Sequence, residues 1–204
     1  MIAKCWIRSE APVTTTPELP RVALALVHFP VIRDRSGSIG ATSVTPLNVH
    51  DLARAARTYG VAPLYVVTPL LSQQALVGRI LRHYREGYGL GANPSRAEAL
   101  RDVVLSGSIN EALDDLCRRE GGYPVVVGTA ARQGPKSIGY PDLAARMRDR
   151  AQPWLLLFGT GWGLGPEAAA QCDFFLGPVR GPGEFNHLPV RSAVAVILDR
   201  LFGK

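Results

Sequence analysis

The sequence predicts an α/β fold: a mostly parallel sheet flanked by helices. Three observations carry that prediction. Short apolar, β-branched runs alternate with helical patterns from Arg21 onward, and glycine-bearing loops follow several of the runs. With 47% apolar and 20% charged residues over 204 positions, the chain can also bury one sizeable core.

The elements follow in order. Residues 1–20 carry prolines and a threonine run (SEAPVTTTPELP) and read as a flexible leader, leaving 21–204 as a single domain. RVALALVH is the first strand, and a helix is expected from Asn48, with Asn48 as its candidate N-cap. The strand LYVVT and the helix SQQALVGRILRHYRE come next. SINEALDDLCRRE opens with a capping box, Ser108 to Glu111, and leads to the strand PVVVG. A helix around 141–150, the strand WLLLF, a short helix PEAAAQ, the strand DFFLG and a last helix complete the chain. Strands separated by helices imply right-handed crossovers.

Composition narrows the function classes. Cys5, Cys117 and Cys172 lack paired spacing and His28, His50, His83 and His187 lack ligand spacing, so no metal site is expected. The N-terminus has no apolar signal core and no run is long enough to span a membrane, so a cytoplasmic location is expected. A net charge of +6 suits a polyanionic partner. Among the 23 basic residues only Lys4, Lys136 and Lys204 are lysine, a skew that coding composition alone can produce.

In parallel α/β sheets ligands gather beyond the carboxyl ends of the strands. Three such loops stand out: GTAAR after 124–128, GTGWGLG after 154–158, and GPVRGPGEFNHLP after 174–176. The loop after the first strand has no GxGxxG, which argues against a dinucleotide fold, and neither GxxxxGK[ST] nor G-x-S-x-G is present. A P-loop NTPase and a serine hydrolase are therefore disfavoured.

Asn48, Arg54, Gly60 and Val61 reproduce an N-x5-R-x5-G-V motif, while LLLFGTGWGLGPE and GPVRGPGEFNHLPVRSAVAVIL match a second and a third motif in order. From Arg21 to Gly203 the chain resembles the SPOUT, or α/β-knot, RNA methyltransferases, closest to a small bacterial family of S-adenosylmethionine (SAM)-dependent RNA methyltransferases. The resemblance implies a C-terminal trefoil knot, a cofactor held bent by three loops, and a homodimer with a shared active site. It implies methyl transfer to RNA, tRNA or rRNA. The alternative is a SAM-binding RNA-interaction module without its own catalysis.

The expected cofactor residues are Thr129, Gly159, Thr160, Gly161, Trp162, Gly163, Leu164, Pro178, Val179, Gly181, Gly183, Asn186, Leu188, Val190 and Ser192, with Leu164, Val179 and Leu188 as apolar walls. Arg54 is the first catalytic candidate, by its match to the arginine that the ribose-methylating relatives use, and Asn48 the second. Guanidinium is hard to deprotonate, so phosphate binding or hydroxyl orientation is the chemically easier role for Arg54. Arg57, Arg180 and Arg191 are the RNA-binding candidates. Glu184, Asp199 and His187 are weaker acid–base candidates. NHLPVRSAVA departs from the ribose-methylating pattern, which leaves the methylated atom open between a ribose oxygen and a base nitrogen.

Overall fold

The computed structural model describes residues 20–130 and 136–204. Apart from Pro20, the expected leader lies outside the described residues.

Strand β1, Val22–Val27, is buried at every position and explains why its sequence shows no polar alternation. Leu24 and Leu26 enter one core cluster, and Ala23, Ala25 and Val27 enter another on the opposite face. Burying each leucine contributes about 1.5–3 kcal/mol. The alanines on the other face allow a helix to approach closely. A hairpin follows, β2 (Val31–Ile32) paired antiparallel with β3 (Ile39–Gly40).

Helix α1 runs from Pro46 to Thr58, two residues earlier than the sequence predicts. Thr45, not Asn48, is its N-cap, its hydroxyl accepting from the Asn48 N–H at 3.4 Å. The threonine is followed by a proline, whose fixed φ and missing N–H suit the first helical position. Strand β4 (Leu64–Val67) and helix α2 (Leu71–Arg85) match expectation. Helices α3 (Tyr88–Ala92) and α4 (Pro94–Leu100) and strand β5 (Val103–Ser106) have no counterpart in the predicted order.

Helix α5, Ile109–Glu120, is capped by Ser108 as expected, but the return bond of the expected capping box is shifted one residue, from the Ser108 N–H to that of Gly107. Ser108 Oγ accepts from the Glu111 N–H at 3.1 Å, and the Glu111 carboxylate accepts from the Gly107 N–H at 2.7 Å. Gly121, at φ 72°, ends the helix. The chain continues through β6 (Val125–Thr129), β7 (Ser137–Ile138), α6 (Tyr140–Arg148), β8 (Trp154–Gly159), α7 (Pro166–Ala170), β9 (Phe174–Leu176) and α8 (Val190–Phe202).

The main sheet has seven strands in the order β5-β4-β1-β8-β6-β9-β7, all paired parallel. Residues of α1, α2, α4, α6 and α8 supply the core on one face, and those of α5 and α7 on the other. The three glycine-bearing loops leave the carboxyl ends of β8, β6 and β9, which are neighbours in the sheet. The fold thus gathers segments up to 60 residues apart in sequence at one end of one layer.

Candidate active site at the carboxyl ends of the strands

The loop after β8 folds back on itself and onto the hairpin. A Cβ at Gly159 would lie 2.6 Å from the Leu164 nitrogen, and one at Gly161 (φ 61°) would lie 2.7 Å from the Ile32 carbonyl oxygen. Gly165 would meet the Pro30 carbonyl at 3.1 Å. These three glycines serve the chain's own packing. Gly163 differs: its φ is 111° and nothing lies within 4 Å of its absent Cβ. There the backbone is open to a ligand.

Backbone bonds lock the arrangement. The Trp162 N–H donates to Ile32 O at 2.8 Å, the Ile32 N–H to Gly163 O at 2.9 Å, and the Gly165 N–H to Pro30 O at 2.9 Å. Leu164, expected as an adenine wall, is instead buried in the core with Val31 and Ala168 and anchors the loop. Trp162 is half-exposed, with the Arg35 guanidinium 5.8 Å from its ring centre.

A side-chain chain reinforces the same loop. Thr160 Oγ1 donates to Val27 O at 3.0 Å and contacts Thr42 Oγ1, which lies 2.9 Å from His28 Nδ1. Because a carbonyl only accepts, Thr160 spends its proton on Val27. Thr42 must then donate to Thr160, and His28 Nδ1 must carry the proton given to Thr42. His28 is fully buried, its Nε2 has no partner, and burial holds its pKa down at about 4. The imidazole is therefore neutral, with an unused lone pair on Nε2. The sequence shows only that His28 lacks metal-ligand spacing and does not single out Thr42. Nothing local links positions 28, 42 and 160.

The first loop begins at Thr129, whose hydroxyl donates to Leu157 O at 2.9 Å and ties β6 to β8. Most of the loop lies outside the described residues. In the third loop Pro178 and Val179 are half-buried, and Val179 packs against the core as does Val190 at the start of α8. Gly181 and Gly183 face open space, Leu188 is exposed, and Asn186 and Ser192 are half-buried. Beside this loop opens a cavity of about 340 Å³, lined by Ser137, Ile138, Gly139, Tyr140, Gly177, Pro178, Arg180 and Arg200. Arg200 and Tyr140, absent from the sequence reading, bring a guanidinium 5.1 Å from the phenol ring centre.

The arginines part company. Arg54 and Arg57 share α1, but Arg57, expected to bind RNA, is bonded to Glu98 of α4, Nε to Oε1 at 3.1 Å. Arg54 is exposed. Helix α1 starts at the carboxyl end of the sheet and Arg54 lies eight residues in, roughly 12 Å along the axis toward the amino end. Arg191 lies 3.9 Å from Asp51 across α1 and α8. Asp199 accepts from the Tyr59 hydroxyl at 3.0 Å, and the exposed His187 stacks edge-on with Phe185 at 5.5 Å. Among the described residues no group of three or more His, Cys, Asp or Glu side chains is placed to hold a metal.

The three loops therefore leave adjacent parallel strands at their carboxyl ends, the place where sheets of this kind bind small ligands. The chain belongs to the SAM-dependent RNA methyltransferase family, whose model matches residues 21–203. A protein of Aquifex aeolicus (strain VF5), named only as uncharacterized, is 39% identical over 183 residues, 90% of this chain and 89% of its own. A tRNA (guanine-N(1)-)-methyltransferase of Nitratidesulfovibrio vulgaris is 45% identical over 179 residues, which is 88% of this chain but 41% of that protein. Its name thus describes a protein more than twice as long as the matched segment.

Solved structures share the fold. A putative methylase family protein from Neisseria gonorrhoeae has a TM-score of 0.60 at 18% identity, covering 93% of this chain and 86% of its own. The SpoU methyltransferase AviRb from Streptomyces viridochromogenes with AdoMet has a TM-score of 0.55 at 19% identity, covering 91% and 58%. The chain accordingly has the SPOUT fold and is a methyltransferase that uses SAM to modify RNA. Among the described residues no helix is long and apolar enough to cross a membrane.

Proposed function

We propose that this chain acts as a homodimer, in the cytoplasm, transferring the methyl group of SAM to a tRNA or rRNA. The observation that carries the reading is the alignment of three loops on adjacent strand ends, with an open, left-handed Gly163 in the loop that follows β8. Residues present fit the cofactor: Gly163, Gly181 and Gly183 leave the backbone approachable, while Pro178, Val179, Leu188 and Val190 offer apolar surface. Thr129, Gly159, Thr160, Gly161, Leu164, Asn186 and Ser192 shape and anchor those loops. The sulfonium carries its own leaving group, so the protein supplies orientation and desolvation. The trefoil threading expected of this fold is supported by β9, which lies between β6 and the earlier β7.

Arg54 is the residue that orients the RNA group to be methylated. Its place some 12 Å along α1 from the helix start puts it away from the strand ends of its own chain, which supports a site completed by a second copy. The half-buried Ala55 on α1, with Ala195 and Val196 on α8, supports an α1–α8 dimer surface. Arg180, which lines the 340 Å³ cavity, is placed to meet the RNA backbone.

Calorimetry with SAM and S-adenosylhomocysteine tests the cofactor site, and absence of binding at millimolar concentration rejects it. Methyl incorporation into RNA from a deletion strain, followed by nucleoside mass analysis, identifies the product. A chain that binds cofactor but transfers no methyl group would be the non-catalytic module. Arg54→Ala should cost about 10²-fold or more in turnover with cofactor affinity unchanged, and full turnover removes Arg54 from the mechanism. Light scattering of the purified chain checks the dimer.

A further inference from the structure

The hairpin formed by β2 and β3 is used by neither the cofactor nor Arg54, yet it is bolted to the glycine loop. Three backbone hydrogen bonds join Pro30 and Ile32 to Trp162, Gly163 and Gly165, and the His28–Thr42–Thr160 chain fixes the segment leaving the hairpin. Its tip carries Arg33 and Arg35, both exposed and neither in an ion pair among the described residues.

The tip is ordered by its own chemistry. The Asp34 carboxylate accepts from the Ser36 and Ser38 backbone N–H groups at 2.9 and 3.3 Å and from both serine hydroxyls, and those hydrogen bonds hold its pKa at about 2. Its charge stays turned to the turn itself, while the two guanidinium groups stay available. Gly40 leaves room for the methylene stem of Arg33. Arg35 lies over the Trp162 ring, which is 53% exposed. Two cations on an ordered turn beside an exposed indole have the chemistry of a single-strand nucleic-acid platform: guanidinium for phosphate, aromatic face for a base. Pre-ordering both lowers the entropy lost on binding.

We propose that the 31–40 hairpin, with Trp162, is an RNA-binding surface that holds an unpaired nucleotide next to the cofactor loop. This rests on the RNA methyltransferase reading and supplies the substrate contact that Arg57 and Arg191, both facing carboxylates, do not. Because the hairpin and the glycine loop share backbone hydrogen bonds, a nucleotide held there is fixed in register with the cofactor.

The test uses a fluorescein-labelled 12-nucleotide oligouridylate and a 12-base-pair RNA duplex, with saturating S-adenosylhomocysteine, followed by anisotropy from 50 to 200 mM salt. The whole chain should bind the single strand more tightly than the duplex. Arg33→Ala with Arg35→Ala should weaken single-strand binding about tenfold and lower the salt slope by about 1.4. Arg79→Ala with Arg82→Ala, an equal charge loss on α2, should stay within twofold, and all variants should bind S-adenosylhomocysteine equally in calorimetry. Unchanged affinity in the hairpin variant, equal loss in both variants, or tighter duplex binding overturns the proposal. Loss of S-adenosylhomocysteine binding by the unaltered chain would instead overturn the reading beneath it.

Discussion

Protonating His28 should destabilise the whole domain, because its imidazole is fully buried with one hydrogen bond and a depressed pKa of about 4. In the unfolded chain the same group titrates near 6.5. Between those values the unfolded state binds the extra proton. Stability is therefore fully present above about pH 6.5 and is lost as pH falls from there toward 4. A depression of that size corresponds to about 3 kcal/mol, lost at no more than about 1.4 kcal/mol per pH unit. Urea denaturation at several pH values between 4.5 and 7.5 measures it, with His28→Leu as the reference. The variant is expected to be less stable at neutral pH, since Thr42 loses a partner, but to lose less on acidification. Every other titratable group is common to both proteins, so the difference between the two curves isolates His28. Parallel curves across this range would refute the idea that this imidazole is held neutral by burial.

Gly161→Ala combines a left-handed φ of 61° with a Cβ 2.7 Å from the Ile32 carbonyl, so it should cost about 1–3 kcal/mol and weaken cofactor binding, checked by thermal denaturation with and without S-adenosylhomocysteine. Gly181→Ala, in open space with no steric neighbour, should leave the melting temperature within a degree or two and serves as the comparison. Thr45→Ala removes the cap of α1 and should cost about 1 kcal/mol in urea denaturation, whereas Asn48→Ala should cost less, because only the Asn48 backbone is in the cap.

Local signals in the sequence were read correctly where the physics is local. The Ser108–Glu111 pair needs only residues three apart, and the apolar runs of β1, β4, β6 and β8 declare themselves through burial along most of their length, while β9 is a short, partly buried run. Asn48 misled because asparagine and threonine are both good caps, and the Thr45-Pro46 pair three residues earlier is the stronger start signal. The hairpin was missed because two-residue strands have no periodicity to detect. Its function in the fold comes from bonds to residues about 130 positions away. Separation along the chain also hides the fates of Leu164, drawn into the core by Val31, and of Arg57, taken by Glu98 across 41 positions. Glycine content singled out the segment at the end of β8, yet Gly159, Gly161 and Gly165 answer to backbone packing and only Gly163 is left open.

The central place of β8 has a consequence for how the chain is made. It is the fourth strand of seven across the sheet but the sixth of them in chain order, and it is the partner that closes one side of β1 through six paired positions, from Val22 with Trp154 to Val27 with Gly159. Until residues 154–159 leave the ribosome, β1 presents an unpaired, wholly apolar edge to any passing strand or chaperone, and the two halves of the sheet have no seam. With the cofactor site proposed above, cofactor binding also marks a completed sheet. A chain interrupted before Trp154 has neither the middle of its sheet nor the loop hung from it, so ligand-dependent stabilisation of newly made protein would report only on molecules translated past that point.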